Sequence, residues 1–213
     1  MKNKKPMLKE TVGALYLAFN TPNEDGEFDI NTYEETIKSE VVKNISTTEN
    51  AESTVVRASG KDYTTVSQNS SIDHAVEVIA FDPGDIARMR KDDIGKYIVK
   101  SGAAGERPFF GFGKVVKKTG GVVEFVWYPK CQLVENTDDI ATSEESYSEQ
   151  NDTLTIRAYA FDKEGNKSVR VNSEMSNFPK GLTEEMFFTK PITSDADIEA
   201  LITPTNDKEQ EGA

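Results

Sequence analysis

The chain has 213 residues, a formal net charge of −12 and an isoelectric point of about 4.7. That length supports a substantial core without covalent staples, and the acidic balance excludes a surface built to grip phosphate, which needs clustered Lys and Arg. Cys131 is the single cysteine, so no internal disulfide forms, and the basic start MKNKKP leads into no long apolar run, so neither a secretory signal nor a membrane span is expected.

Residues 12–19 read as a strand with two apolar faces, Val12, Ala14, Tyr16 and Ala18 on one and Leu15, Leu17 and Phe19 on the other. Such a strand is buried on both sides or covered by another subunit. Residues 20–29 are polar and turn-rich, a loop by composition. Residues 32–48 fit a short helix or an alternating strand, with strand preferred over 41–46. The next five, ENAES, read as a loop. Residues 54–58 and 63–67 are strand-like and flank a turn at 59–62. The whole of 40–71 is polar and poor in large aliphatics, which predicts an extended flap rather than core.

Residues 73–81 form a further strand with His74, Val76, Val78 and Ala80 on one face. The spacing then predicts a helix: Asp82 as N-cap, Pro83 at the first helical position and Asp85 near the positive end of the dipole. Ile86, Met89, Ile94, Tyr97 and Ile98 follow as one apolar stripe, with Ile86 and Met89 assigned to the core. Gly95 weakens its end, and the glycines at 102 and 105 stop any continuation.

Residues 106–131, ERPFFGFGKVVKKTGGVVEFVWYPKC, read as a long hairpin broken at its Gly-Gly. Val123, Phe125 and Trp127 share one face and Val122, Glu124, Val126 and Tyr128 the other. Phe125 and Trp127 are assigned to the core, the opposite face is left open to a partner, and Pro129 is expected to end the strand. Residues 135–152 carry seven carboxylates and no Lys or Arg, an acidic connector. Residues 153–161 and 168–171 predict a final hairpin around the turn at 162–166. Phe178, Met186, Phe187 and Phe188 are anchors, Ser194 caps a short helix through Leu201, and the last residues read as a disordered tail. The expected fold is mainly β, an antiparallel β-sandwich or split barrel with one flanking α-helix. It is a single domain over 1–190 with a C-terminal extension over 191–213.

Catalytic readings fail on named requirements. A phosphate loop needs G-x-x-x-x-G-K-[ST], but Gly113-Lys114 has Pro108 five positions before the glycine and Val115 after the lysine. The dinucleotide pattern G-x-G-x-x-G breaks at Val116. His74 is the only histidine and alternates with valines, which makes it a core or interface residue rather than a general base. Cys131 has no histidine near it in sequence and reads as a small hydrophobe. Asp82, Asp85, Asp92 and Asp93 lack calcium-loop spacing, and helix capping accounts for the first two. No catalytic residue, cofactor site or metal site is assigned, and no enzymatic activity is expected.

Three blocks together resemble the major tail proteins of long-tailed, non-contractile bacteriophages. They are GKDYTTVSQNSSIDHAVEVIAFDPGDIARM (60–89), RPFFGFGKVVKKTGGVVEFVWYPKCQL (107–133), and the acidic connector followed by NDTLTIRAYAFDKEGN (151–166). The close of the second block, Trp127-Tyr128-Pro129-Lys130, departs from the family pattern. The resemblance implies a virion protein of the phage tail, made in the host cytoplasm. Its subunits form hexameric rings whose sheets join edge to edge and stack into the tube through which DNA is ejected. Implied partners are other copies of itself and the tape measure, distal tail and tail terminator proteins, with DNA only in transit and no membrane. It implies that the flap over 40–71 reaches the next ring, through candidates Thr54, Val55, Val56, Lys61 and Tyr63. Glu77 and Glu124 are the candidates for the lumen, where like charge would keep DNA from adhering. The competing reading is a β-rich surface adhesin or ligand-binding module.

Overall fold

The computed structural model describes residues 5–138, 140–142 and 150–203, apart from the side chains of 52–54 and 65–70. The strands are β1 (Lys9–Phe19), β2 (Ile37–Ser39), β3 (Val42–Ala58), β4 (Lys61–Val78), β5 (Asp93–Ile94), β6 (Val99–Lys100), β7 (Phe110–Lys118), β8 (Val122–Asp138), β9 (Asp152–Ala158) and β10 (Val169–Asn172). The helices are α1 (Pro83–Arg90), α2 (Glu184–Phe187) and α3 (Asp195–Ile202). Eight strands form one antiparallel sheet in the order β2-β1-β7-β8-β9-β4-β3, with β10 also on β8. The architecture is a mainly β sandwich with flanking helices.

Two apolar clusters explain why the sheet bends over itself. The first joins Leu15, Leu17, Phe112 and Tyr128 to Val76, Val78, Leu154 and Ile156, so β1, β7 and β8 face β4 and β9 across a shared core. The second lies behind β1, β7 and β8, where Tyr16, Val115, Phe125 and Trp127 pack against Phe187, Phe188, Ile192 and Ile198. The two apolar faces of β1 are therefore both covered within the chain. The same holds for β8: Phe125 and Trp127 face the helices, and Val126 and Tyr128 are buried in the first cluster. The face opposite Phe125 and Trp127, expected to be open to a partner, is core. Ile192 and Ile198, placed by the sequence in a C-terminal extension, belong to the second cluster.

The C-terminal segment seats on the sheet because two glycines leave room for it. A Cβ on Gly113 would stand 2.7 Å from the Phe188 ring, and one on Gly111 2.8 Å from Pro191. The glycines of FGFG serve close packing, the physical alternative to a phosphate loop.

α1 begins as its sequence dictates. The Asp82 carboxylate accepts from the backbone N–H groups of Gly84 (2.8 Å) and Asp85 (3.1 Å), with Pro83 at the first position. The helix ends at Arg90, because Lys91 adopts the left-handed conformation (φ 60°) and its N–H closes back on the last turn. The apolar stripe does not continue: Ile94 pairs with Val99 in the β5–β6 hairpin, and Ile94, Tyr97, Ile98 and Val99 are exposed. Asp92, instead of extending the helix, accepts from the Ser101 hydroxyl at 2.8 Å. Met89 is buried in the first cluster and Ile86 packs half-buried against it.

Three further expectations are corrected. Pro129 does not end β8, which continues to Asp138. Phe112 faces Tyr128 while Phe110 faces Cys131, so Pro129 sits at a bulge. On the other side β10 stops at Trp127 and β9 starts at Cys131, so the missing N–H falls in a changeover. Second, the segment ENAES is strand within β3, and only the register shifts between Asn50 and Ala51. Third, β9 and β10 do not form a hairpin. Both pair with β8, at successive positions along it, although the turn closes as read, with Asn166 N–H donating to Asp162 at 2.7 Å. Ser194 caps α3 through a reciprocal bond with Asp197. The central part of the acidic connector and the C-terminal tail lie outside the described residues.

Candidate functional site

The most distinctive surface feature is the β3–β4 arm. β9 supports β4 only from Ile72 to Val78. Beyond that point residues 50–58 and 61–71 pair, among the described residues, with one another alone, a two-stranded ribbon about 30 Å long at roughly 3.3 Å per residue. Its turn is Ser59-Gly60, both with positive φ (54° and 75°), the pair that a tight hairpin with right-handed twist demands. Arg57 and Asp62 form an exposed ion pair at 2.9 Å beside it.

Val55, Val56, Lys61 and Tyr63 all lie exposed on this ribbon. Val55 opposes Thr65 and Val56 opposes Thr64, so the two valines point to opposite faces. Tyr63 is 78% exposed and stands at a register shift, between Asp62, paired with Arg57, and Thr64, paired with Val56. Thr54 is on β3 opposite Val66; its side chain is outside the described set.

At its root the ribbon is clamped. Arg157 holds Asp73 through two bonds, 2.6 and 3.0 Å, and Asn50 donates to the same carboxylate at 2.8 Å. These bonds, the Arg157 guanidinium first, keep the Asp73 carboxyl below its ordinary range.

Glu77 and Glu124 are not brought onto one face. Strand alternation turns Glu77 away from Val76 and Val78, and its carboxylate accepts from Asn151 at 3.0 Å. Glu124 shares the face of Val126, half-buried, and pairs with Lys118 at 3.2 Å.

A polar chain that runs from the surface to a buried histidine was not among the sequence expectations. Lys114 Nζ donates to Thr47 Oγ1 at 2.6 Å, and Thr47 Oγ1 lies 3.0 Å from Nδ1 of the fully buried His74. The Thr47 hydroxyl accepts from the ammonium, and its role toward Nδ1 follows the tautomer of the ring: it donates to a bare Nδ1 or accepts from a protonated one. Nε2 has no partner among the described residues. The ring packs against Phe112 and Tyr128. Burial, then the neighbouring Lys114, push His74 down to about 3, and burial lowers Lys114 to about 8. The signal available in sequence was a lysine and a histidine each interrupting an apolar strand face, Lys114 between Phe112 and Val116. Cys131 is fully buried, and burial raises its thiol well above the ordinary range, leaving it without a reactive thiolate.

Among the described residues no three His, Cys, Asp or Glu gather into a metal-binding group. No helix there is long and apolar enough to cross a membrane.

No protein-family model matches the chain, and no curated protein matches it. Among solved structures it is similar to a chain in the cryo-EM structure of the anti-feeding prophage (AFP) baseplate, 6-fold symmetrised. The identity is 9%, the likeness covers 82% of this chain and 100% of that one, and the TM-score is 0.40. A likeness at that level decides nothing about what the chain does.

Proposed function

We propose that the chain is a structural subunit of a phage tail tube, which assembles into stacked hexameric rings and catalyses nothing. The observation that carries the reading is the unsupported β3–β4 ribbon. A two-stranded ribbon of this length is at best marginally stable in water, so it gains most from lying on another surface. Its exposed Val55, Val56 and Tyr63 offer apolar contact on both faces, which suits an arm laid against the neighbouring ring. The sheet also ends in β2 and β3, strands with one partner each in its order. Such edges invite pairing with another chain, and ring closure removes them. The hexamer, the tail location and the passage of DNA come from the resemblance of residues 60–89, 107–133 and 151–166 to the family.

Electron microscopy tests the reading, on concentrated protein and on protein co-expressed with initiating tail components. Rings or tubes of even bore are the expected result. Failure to co-assemble with any tail component sinks it, and a persistent monomer that binds a ligand favours the adhesin or ligand-binding module instead.

A further inference from the structure

Lys114 reaches from β7 into a cleft of about 410 Å³ whose other walls are the starts of β1 and β3. Among the described residues three lysines line it, Lys9, Lys43 and Lys114, against one carboxylate, Glu10, and Lys43 also donates to Asn151 at 3.3 Å. This gathering of cations stands out in a chain with 37 acidic and 25 basic residues. An ammonium withdrawn from water needs its lost hydration replaced, ideally by an opposite charge. Lys114 has instead a neutral hydroxyl, Thr47 Oγ1 at 2.6 Å, and the Tyr128 ring with its centroid at 5.5 Å. Among the described residues no carboxylate lies within ion-pairing distance of it. Lys118, further along the same strand, shows the contrast: it is held by Glu124 at 3.2 Å and Glu174 at 2.9 Å.

The walls of the cleft are strand edges. Among the described residues β2 joins β1 only from Leu15 to Leu17, the start of β1 pairs with β7 alone, and β3 pairs with β4 alone. A neighbour abutting this seam would place its side chains over Lys114.

We propose that this cleft is a carboxylate-binding site filled by an acidic side chain of a second copy of the chain. Lys114 is the anchor, and Lys9 and Lys43 form the rim. The proposal rests on the ring-forming reading above and adds to it where the charge contact lies. A second copy fits because its surface is acidic overall, complementary to the cleft. The incoming carboxylate accepts from Nζ while the bond to Thr47 persists, since an ammonium carries three donors. Among the described residues the free subunit thus offers this cation no paired carboxylate, and assembly would supply one.

The test couples amines to carboxylates with a zero-length carbodiimide in assemblies mixed from unlabelled and ¹⁵N-labelled protein. Mass spectrometry then identifies mixed-isotope links. Links between copies at Lys114, Lys9 or Lys43 are expected. Lys114→Met should raise the concentration for half-assembly at least about tenfold, while leaving the free subunit as stable as before or more so. A merely structural lysine would instead weaken the subunit. If Lys114→Met does not fold, the exposed pair Lys9→Gln and Lys43→Gln is judged by the same shift. Assemblies without such links, or with links only inside one copy, overturn the carboxylate site and leave the ring reading standing. Absence of assembly with every tail component overturns both.

Discussion

The indole N–H of Trp127 donates to the backbone carbonyl of Phe187 at 3.0 Å, across a contact buried on both sides. The bond ties the central strand of the sheet to the last turn of α2, so the C-terminal segment is locked by a polar bond as well as by packing. Trp127→Ala removes the largest fully buried side chain and orphans the carbonyl. It should cost roughly 3–5 kcal/mol, read by denaturant titration. Trp127→Phe keeps most of the packing and loses the bond, and should cost about 1–3 kcal/mol. Equal losses for the two would show that the bond contributes nothing.

Gly113 and Phe188 make the second test. An added methyl would stand 2.7 Å from the ring, which is itself stacked on Tyr16 at 3.9 Å between centroids and cannot easily retreat. Gly113→Ala should cost about 1–3 kcal/mol, and the paired variant Gly113→Ala with Phe188→Leu should recover part of it. Calorimetric melting of the two proteins decides.

His74 sets a pH dependence whose sign comes from its depressed pKa. The unfolded chain takes up the proton near pH 6.5 and the folded chain only near 3. Stability from this residue is complete above about 6.5 and falls as the pH drops toward 3, by at most about 1.4 kcal/mol per pH unit. Asp73, held low by Arg157, contributes stability that also fades in acid, as the pH falls through its folded pKa. His74→Gln removes only the first dependence. Its stability profile between pH 6 and 4 should be flatter than the parent's, and parallel profiles would count against a buried neutral imidazole.

Removing residues 53–67 and closing the shortened ribbon with a tight turn should leave a folded subunit that cannot stack. The core clusters contain none of these residues, so circular dichroism and melting temperature should hardly change. Tubes of normal length from this variant would show that the arm makes no contact between rings.

Much of the fold was legible because its causes are local. The two apolar faces of β1 and the Asp82-Pro83 start of α1 depend on neighbours along the chain. The errors share a different origin. Ile94, Tyr97 and Ile98 keep a helical spacing, but Lys91 turns left-handed and the β5–β6 pairing claims residues 93–100. Pro129 is tolerated inside β8 only because a bulge and a change of partner coincide there, which no local pattern states. β9 and β10 flank a well-formed turn, yet both are drawn to the longer strand β8. The contact between Lys114, Thr47 and His74 joins β7, β3 and β4, and no spacing rule connects those positions. The polarity of 40–71 predicts a flap, but ENAES lacks the alternation that marks a continuous strand.

The ribbon's clamped root has a consequence for how its reach can vary. Asp73, Arg157 and Asn50 fix the direction in which the arm leaves the body. Beyond them length is a free variable, counted in rungs. Adding two residues to each strand would advance the tip by about 7 Å and keep every side chain on its face. Adding one to each would reverse which face meets a neighbour. Spacing between stacked subunits can therefore be tuned in paired steps, with the body left untouched.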